Sequence, residues 1–404
     1  MGNAVPSLEA TVLSDLTLSR RAARLSPPAH PIDTSKISLD SGYAFPGIFP
    51  DLTDAAMRAL HDYRAESLQY GTPFGLPELR EWIAGYMRAD DVAVSSDDVL
   101  VVNGAKNGLE LMCRLLVDEG DAIVVTGPTY FSAIPIFRSF GVTFVEMPQD
   151  NEGLDVGALE RRLAALPKDA RPKFIYDVPD FHNPTGITMS LRRREALISL
   201  AAAGQIPIIE DSPYRALRFD GNNEPSLKSL DPRNVFAVGT FSKLLAPGLR
   251  IGWISGPPAM LALLARLKSD GGTCPLTQRI AFEFLAGGGL RPLLDRARNA
   301  YRQHRDAMTA AVRREIPEAT FSVPMGGYYL WVKFPEAIDT TALVERAWRN
   351  GVSVIAGPAF YASGASAAAD CAPNRFVRLA FSRSDADEIE RGVRLLAAAY
   401  RSTT

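Results

Sequence analysis

The chain has 404 residues, 47% hydrophobic and 22% charged, which is enough to bury a sizeable core and to divide into two domains. Its formal net charge of -2 gives no reason to expect nucleic acid or an anionic membrane as partner, so any ligand has to be read from a site. Cys113, Cys274 and Cys371 form neither a CxxC pair nor a disulfide framework, no apolar stretch approaches the roughly 20 residues that span a bilayer, and residues 1–10 lack a signal pattern; the expectation is a soluble, cytoplasmic protein.

From about residue 65 to about 270, short β-rich runs alternate with amphipathic segments. Strands are predicted at 99–102, 122–125, 142–147, 174–178, 206–210 and 235–238, with helices such as 108–116 and 191–203 between them. This alternation predicts an α/β fold with a mostly parallel sheet and helices on both faces. Ligands of such sheets bind beyond the carboxyl ends of the strands, so residues just after these runs carry the most weight. Glycines at 271–272 and 287–289 then break the chain around a helical stretch. A long Arg-rich helix over 291–314, strands at 328–332, 352–355 and 376–380, and a last helix over 385–400 predict a smaller α+β domain completed by the N-terminal segment. The domain expectation is a 1–60 segment that covers substrate and joins the small domain, a large ligand-binding domain over 61–285 and a small domain over 286–404.

The first strand end opens a helix with Asn103-Gly104-Ala105-Lys106. Small residues there let backbone amides approach an anion at the positive end of a helix dipole, although a Gly-rich turn of purely steric origin reads the same way. The second carries Gly127-Pro128-Thr129-Tyr130, whose tyrosine either lies against a flat ligand or packs in the core. The third, His182-Asn183-Pro184-Thr185-Gly186, presents an amide to the same sheet edge or simply makes a turn. The fourth ends an apolar strand with Glu210-Asp211 and continues to Tyr214. A buried Asp211 needs a cation: a protonated ring nitrogen, or else an arginine, unless the residue is a helix cap.

Lys243 sits where the 235–238 strand leaves the core, bracketed by Thr240 and Ser242. That setting suits an amine kept partly unprotonated to form a Schiff base. Arg250, seven residues on across Pro247-Gly248, can return a guanidinium to an anion held by the same hydroxyls.

Taken in order, Asn-Gly-Ala, Pro-Thr-Tyr, His-Asn-Pro-Thr-Gly, Glu-Asp-x-Pro-Tyr and Phe-Ser-Lys-x-x-x-Pro-Gly-x-Arg-x-Gly-Trp resemble the fold-type-I pyridoxal-phosphate aminotransferases over about residues 38 to 400. The nearest likeness is to the subgroup of 2-aminoadipate and kynurenine aminotransferases and the MocR-type regulator domains. The resemblance implies an enzyme that carries the amino group of an L-amino acid to a 2-oxo acid such as 2-oxoglutarate, with pyridoxal 5′-phosphate as cofactor. It implies that Lys243 forms the Schiff base and shuttles a proton, and that Asp211 holds the ring-nitrogen proton. Asn183 and Tyr214 would meet the phenolic oxygen and Tyr130 would stack on the ring. Gly104, Ala105, Thr240, Ser242 and Arg250 would hold the phosphate, with Tyr70 reaching across a homodimer to the partner's phosphate. Arg378, inside the apolar strand 376–380, matches the arginine that takes the substrate carboxylate, an internal salt bridge being the alternative. Gly42 and Tyr43 lie where relatives cover the substrate. Lys106 stands where glutamine is usual, either near the phosphate or a substrate acid, or solvated. The same constellation also serves oxidases, cyclases and decarboxylases. A sensing domain is less favoured, because the roughly 40 residues before the fold are short for a helix-turn-helix module.

Overall fold

The computed structural model describes residues 18–25, 33, 35–167, 170–336, 338–363 and 372–402; Cys371 and residues 1–10 lie outside them. A short strand β1 (Ile37–Ser38) is followed by β2 (Val99–Val102), β3 (Ala122–Gly127), β4 (Thr143–Asp150), β5 (Gly153–Leu154), β6 (Ile175–Asp177), β7 (Ile208–Asp211), β8 (Val235–Thr240) and β9 (Gly252–Ser255). Strands β2 to β9 form one sheet in the order β2-β9-β8-β7-β6-β3-β4-β5. Neighbours from β8 through β4 pair in parallel, while β9 is antiparallel to both β8 and β2.

The sheet is covered on both faces, and its strands alternate between two cores. Val124, Ile175 and Ile208 pack into one cluster, whereas Ile123, Val125, Tyr176 and Ile209 face the other. This period-two division is what a strand buried on both sides must show. Helix Ala105–Leu116 covers one face through Leu109, Met112 and Cys113. Helix Leu191–Gly204 covers the other through Leu197 and Ala201, and Ser190 caps it by accepting from the Arg193 amide.

Beyond the sheet come helix Leu290–Glu315, β10 (Tyr329–Lys333), β11 (Val352–Ser353), β12 (Ile355–Ala356), β13 (Phe376–Ala380) and helix Ala386–Arg401. β13 lies centrally in a three-stranded antiparallel sheet, β10-β13-β12. β11 pairs in parallel with β1, which fixes the N-terminal segment against this region.

Two expectations need correction. The run 352–355, read as one strand, is two: Val352 and Ser353 pair with β1, and the chain then crosses to pair Ile355 and Ala356 with β13. The helix placed at 108–116 begins at Ala105, which puts Lys106 in its first turn. Strand β9 and helices Thr53–His61, Pro77–Arg88 and Pro258–Leu267 were not anticipated. Among the described residues, no helix is long and apolar enough to cross a membrane.

Candidate active site

The carboxyl ends of β7 and β8, the segments after β3 and β6, and the start of helix Ala105–Leu116 enclose a cavity of about 180 Å³. Tyr43, Ala105, Lys106, Tyr130, Asn183, Asp211, Tyr214, Thr240, Ser242, Lys243 and Arg250 all line it. Residues distant in the chain meet here because the strands that precede them are parallel and end at one edge.

Lys243 projects from a tight turn after β8, anchored by the carbonyl of buried Phe241, which accepts from the Leu245 amide at 2.8 Å and the Ala246 amide at 3.1 Å. Its ammonium donates to the Gly42 carbonyl and lies 5.1 Å from the centre of the Tyr328 ring. Burial lowers the Lys243 pKa to about 8, and the Arg378 and Arg250 cations push it the same way. An amine so placed is available as a nucleophile or proton acceptor near neutral pH.

Asp211 ends β7 at 3% exposure. Its Oδ2 accepts from the Tyr176 hydroxyl at 2.9 Å, while Oδ1 is buried with no partner among the described residues. Burial raises its carboxyl to about 7, against the pull of the Tyr176 hydrogen bond. A bare carboxylate oxygen at a cavity wall calls for a protonated nitrogen opposite it.

At the other end of the cavity the groups suit an anion. Gly104 precedes the helix at φ 81, and a Cβ there would stand 2.8 Å from Arg250 Nη2. Gly252 of β9 is more constrained still, since a Cβ would come within 2.8 Å of the backbone atoms Ala105 N, Gly104 C and Gly239 O. Both glycines therefore let backbone pass where a side chain would close the space. Thr240 Oγ1 lies 3.0 Å from Ser242 Oγ and 3.3 Å from the Ile251 carbonyl oxygen, and Arg250 Nη1 reaches Ser242 Oγ at 3.5 Å. Two hydroxyls, a guanidinium and the first amides of a helix make a positive, hydrogen-bonding cup. Lys106 is exposed on its rim.

Arg378 stands behind this cavity, on β13, with no exposed surface. It has no carboxylate partner among the described residues, so the internal salt bridge weighed from the sequence is not found among them. Nη1 donates to Asn183 Oδ1 at 2.9 Å, Nη2 donates to the Asp40 carbonyl, and Nε has no partner among the described residues. The Tyr329 ring centre lies 4.3 Å from its guanidinium, and those of Phe131 and Phe360 lie at 5.0 Å. Asn183 Nδ2 is also buried and unpartnered among the described residues. Behind it His182, which burial lowers to about 3, is neutral and sits 3.1 Å from the hydroxyls of Thr126 and Thr185.

Gly42 and Tyr43 cross the entrance, where the Tyr43 carbonyl accepts from Ser382 Oγ at 2.7 Å. The 40–43 segment thus offers carbonyls to both Arg378 and Lys243. Tyr70 is not brought to the cavity of its own chain; it is 90% exposed beside Gly71, Pro77 and Pro275.

Sequence reasoning missed Tyr176, Tyr328, Tyr329 and the rings around Arg378. Tyr214 donates to the Tyr329 hydroxyl at 3.2 Å, so Tyr329 touches both the phenol that lines the cavity and the arginine behind it. The adjacent pair Tyr328-Tyr329 after Gly326-Gly327 was the available signal for two of them. Tyr176, within an apolar run, reads as core.

The family model for aminotransferase class I and II matches residues 34–396. The chain is 34% identical to aromatic-amino-acid aminotransferase 1 of Thermococcus litoralis, over 95% of this chain and 93% of that one. It is similar in structure to a multiple substrate aminotransferase from Thermococcus profundus, with TM-score 0.88, 32% identity and coverage of 96% and 98% of the two chains. It is similar also to LysN, the alpha-aminoadipate aminotransferase of Thermus thermophilus complexed with N-(5′-phosphopyridoxyl)-L-leucine, with TM-score 0.84, 31% identity and coverage of 92% and 93%.

Proposed function

Because the chain belongs to the class I and II aminotransferases and is a pyridoxal 5′-phosphate-dependent enzyme, we propose that it moves the amino group of an L-amino acid to 2-oxoglutarate, with Lys243 as the Schiff-base lysine. The residues present fit the cofactor. Asp211 Oδ1 and Asn183 Nδ2 are buried polar atoms without partners among the described residues, and Gly104, at a positive φ, has the Arg250 guanidinium directly beside it. When bound, pyridoxal 5′-phosphate supplies an aldehyde that condenses with amines and a ring that draws electron density from the substrate Cα.

Lys243 would have two tasks, to condense as a neutral amine with the aldehyde and, once freed by the substrate amine, to accept the Cα proton. Asp211 Oδ1 would keep the ring nitrogen protonated. Asn183 and Tyr214 would face the phenolic oxygen and Tyr130 the ring. Gly104, Ala105, Lys106, Thr240, Ser242 and Arg250 would hold the phosphate, and Arg378 the substrate carboxylate. Gly42 and Tyr43 would exclude water from above. The observation that carries the substrate class is Arg378: a guanidinium with no exposed surface and no acidic partner among the described residues needs an anion of carboxylate shape.

The reading extends to a cytoplasmic homodimer in which Tyr70 serves the partner's phosphate, and to a chain divided into a 1–60 segment, a 61–285 cofactor-holding domain and a 286–404 small domain. The pairing of β1 with β11 and the long helix Leu290–Glu315 support that division.

A panel of amino acids, mixed singly with the cofactor-loaded protein and followed by cofactor absorption, tests the assignment. Substrates should convert the lysine-bound form to the aminated form, and 2-oxoglutarate should restore it with one equivalent consumed. Lys243→Ala should lose both turnover and the lysine-bound absorption. Oxygen uptake without any need for a 2-oxo acid would overturn the acceptor assignment.

A further inference from the structure

The register of β6 against β7 places Tyr176 opposite Ile209. Paired residues of neighbouring parallel strands share a face, and so do residues two apart, so Asp211 projects to the same side as Tyr176. The phenol has the length to run forward along the sheet, and its hydroxyl meets Asp211 Oδ2 at 2.9 Å. Tyr176 has no exposed surface, and its ring is wedged edge-on against Phe137, with centroids 5.1 Å apart at 71°. Burial and the nearby Asp211 charge hold its hydroxyl well above the ordinary tyrosine range, so it remains a donor.

The carboxylate is thereby asymmetric. One oxygen is occupied from behind by a rigid donor, and the other is bare and buried. A carboxylate with both oxygens free could rotate or take a proton on either, whereas the Tyr176 hydrogen bond fixes the plane and favours the charged form.

Resting on the cofactor assignment above, we propose that Tyr176 is a positioning residue that acts through Asp211, aiming Oδ1 at the ring nitrogen of pyridoxal 5′-phosphate and keeping that oxygen anionic. The consequence is specific to one atom of the cofactor. Removing the hydroxyl should weaken the grip on a ring that carries nitrogen and leave a ring without it unaffected.

The test compares equilibrium affinity of the cofactor-free protein for two ligands, pyridoxal 5′-phosphate and its carbocyclic analogue in which C–H replaces the ring nitrogen, in wild type and Tyr176→Phe. A hydrogen bond to a charged group sets the scale, so Tyr176→Phe should bind the natural cofactor about tenfold or more weakly while its affinity for the analogue changes less than about twofold. In an Asp211→Asn background, where the buried charge is gone, adding Tyr176→Phe should produce no further loss for the natural cofactor. Equal weakening toward both ligands means a packing role and overturns the proposal. Unchanged affinity for the natural cofactor, or a further loss in the Asp211→Asn background, also overturns it. If Tyr176→Phe does not fold alone, the comparison in the Asp211→Asn background decides. Failure of wild type to bind either ligand would instead strike the cofactor assignment itself.

Discussion

The Lys243 amine is enclosed between the Gly42 carbonyl and the Tyr328 ring, with two arginines nearby. The charged form is disfavoured, so the pKa falls to about 8 and the neutral, nucleophilic fraction grows as pH rises toward that value. Capture of pyridoxal 5′-phosphate by the cofactor-free protein should therefore accelerate about tenfold per pH unit below this value and level off above it. Stopped-flow absorbance from pH 6 to pH 10 reads this directly, and a rate still climbing at pH 10, as for a solvated lysine, would contradict it. Lys243 and Asp211 were legible in the sequence because each interrupts or ends an apolar strand with a group that burial penalises. Tyr176 was not legible, because a tyrosine in an apolar strand violates nothing; only the register with β7 reveals where its hydroxyl goes. Arg378 was found, but its ring cage was not, since Phe131, Tyr329 and Phe360 come from three separate stretches that meet only in the fold.

At the level of elements, the anion cup depends on β9 passing directly beneath the start of helix Ala105–Leu116. Gly252 makes that crossing possible, because any Cβ there meets three backbone atoms at 2.8 Å and backbone cannot swing aside. Gly252→Ala should destabilise the protein by about 1 to 3 kcal/mol, as overpacking does, and weaken cofactor affinity as well, because relief has to come from moving the helix start that would hold the phosphate. Gly248→Ala, four residues earlier in the turn that leads to β9 and with no atom within 4 Å of its added Cβ, is the control and should change stability by less than about 0.5 kcal/mol. Denaturant melts of both variants check the contrast, and equal effects would sink the steric account. The four-residue β9 escaped the sequence reading because glycine opens it and its two neighbours, β8 and β2, alone give it a reason to be extended. The split of 352–355 was hidden for a related cause: a continuous apolar run cannot say that its halves pair with different sheets.

For the whole molecule, the alternation of strands and helices announced a parallel sheet and hence the edge at which to look, whereas the strand order, with β9 inserted between β2 and β8, is a tertiary fact with no local signal. The same scale governs Tyr70. It lies away from its own chain's cavity, 90% exposed, in a stretch that also leaves Met57, Leu60 and Leu68 in the open. Such apolar exposure on one stretch fits a second copy of the chain better than water. If Tyr70 completes the partner's phosphate cup, two impaired variants should complement each other. Lys243→Ala removes the amine of its own cavity but still lends Tyr70; Tyr70→Ala keeps its amine but lends nothing. In a mixed dimer the cavity with the intact Lys243 receives the intact Tyr70 from its partner, and the other cavity carries both defects. Mixing and co-refolding the two variants, each less active than wild type, should therefore restore one wild-type cavity per mixed dimer, about a quarter of wild-type activity when half of all dimers are mixed. If Tyr70 instead served its own chain, no cavity in the mixture would have both groups, and activity would stay at the average of the two variants.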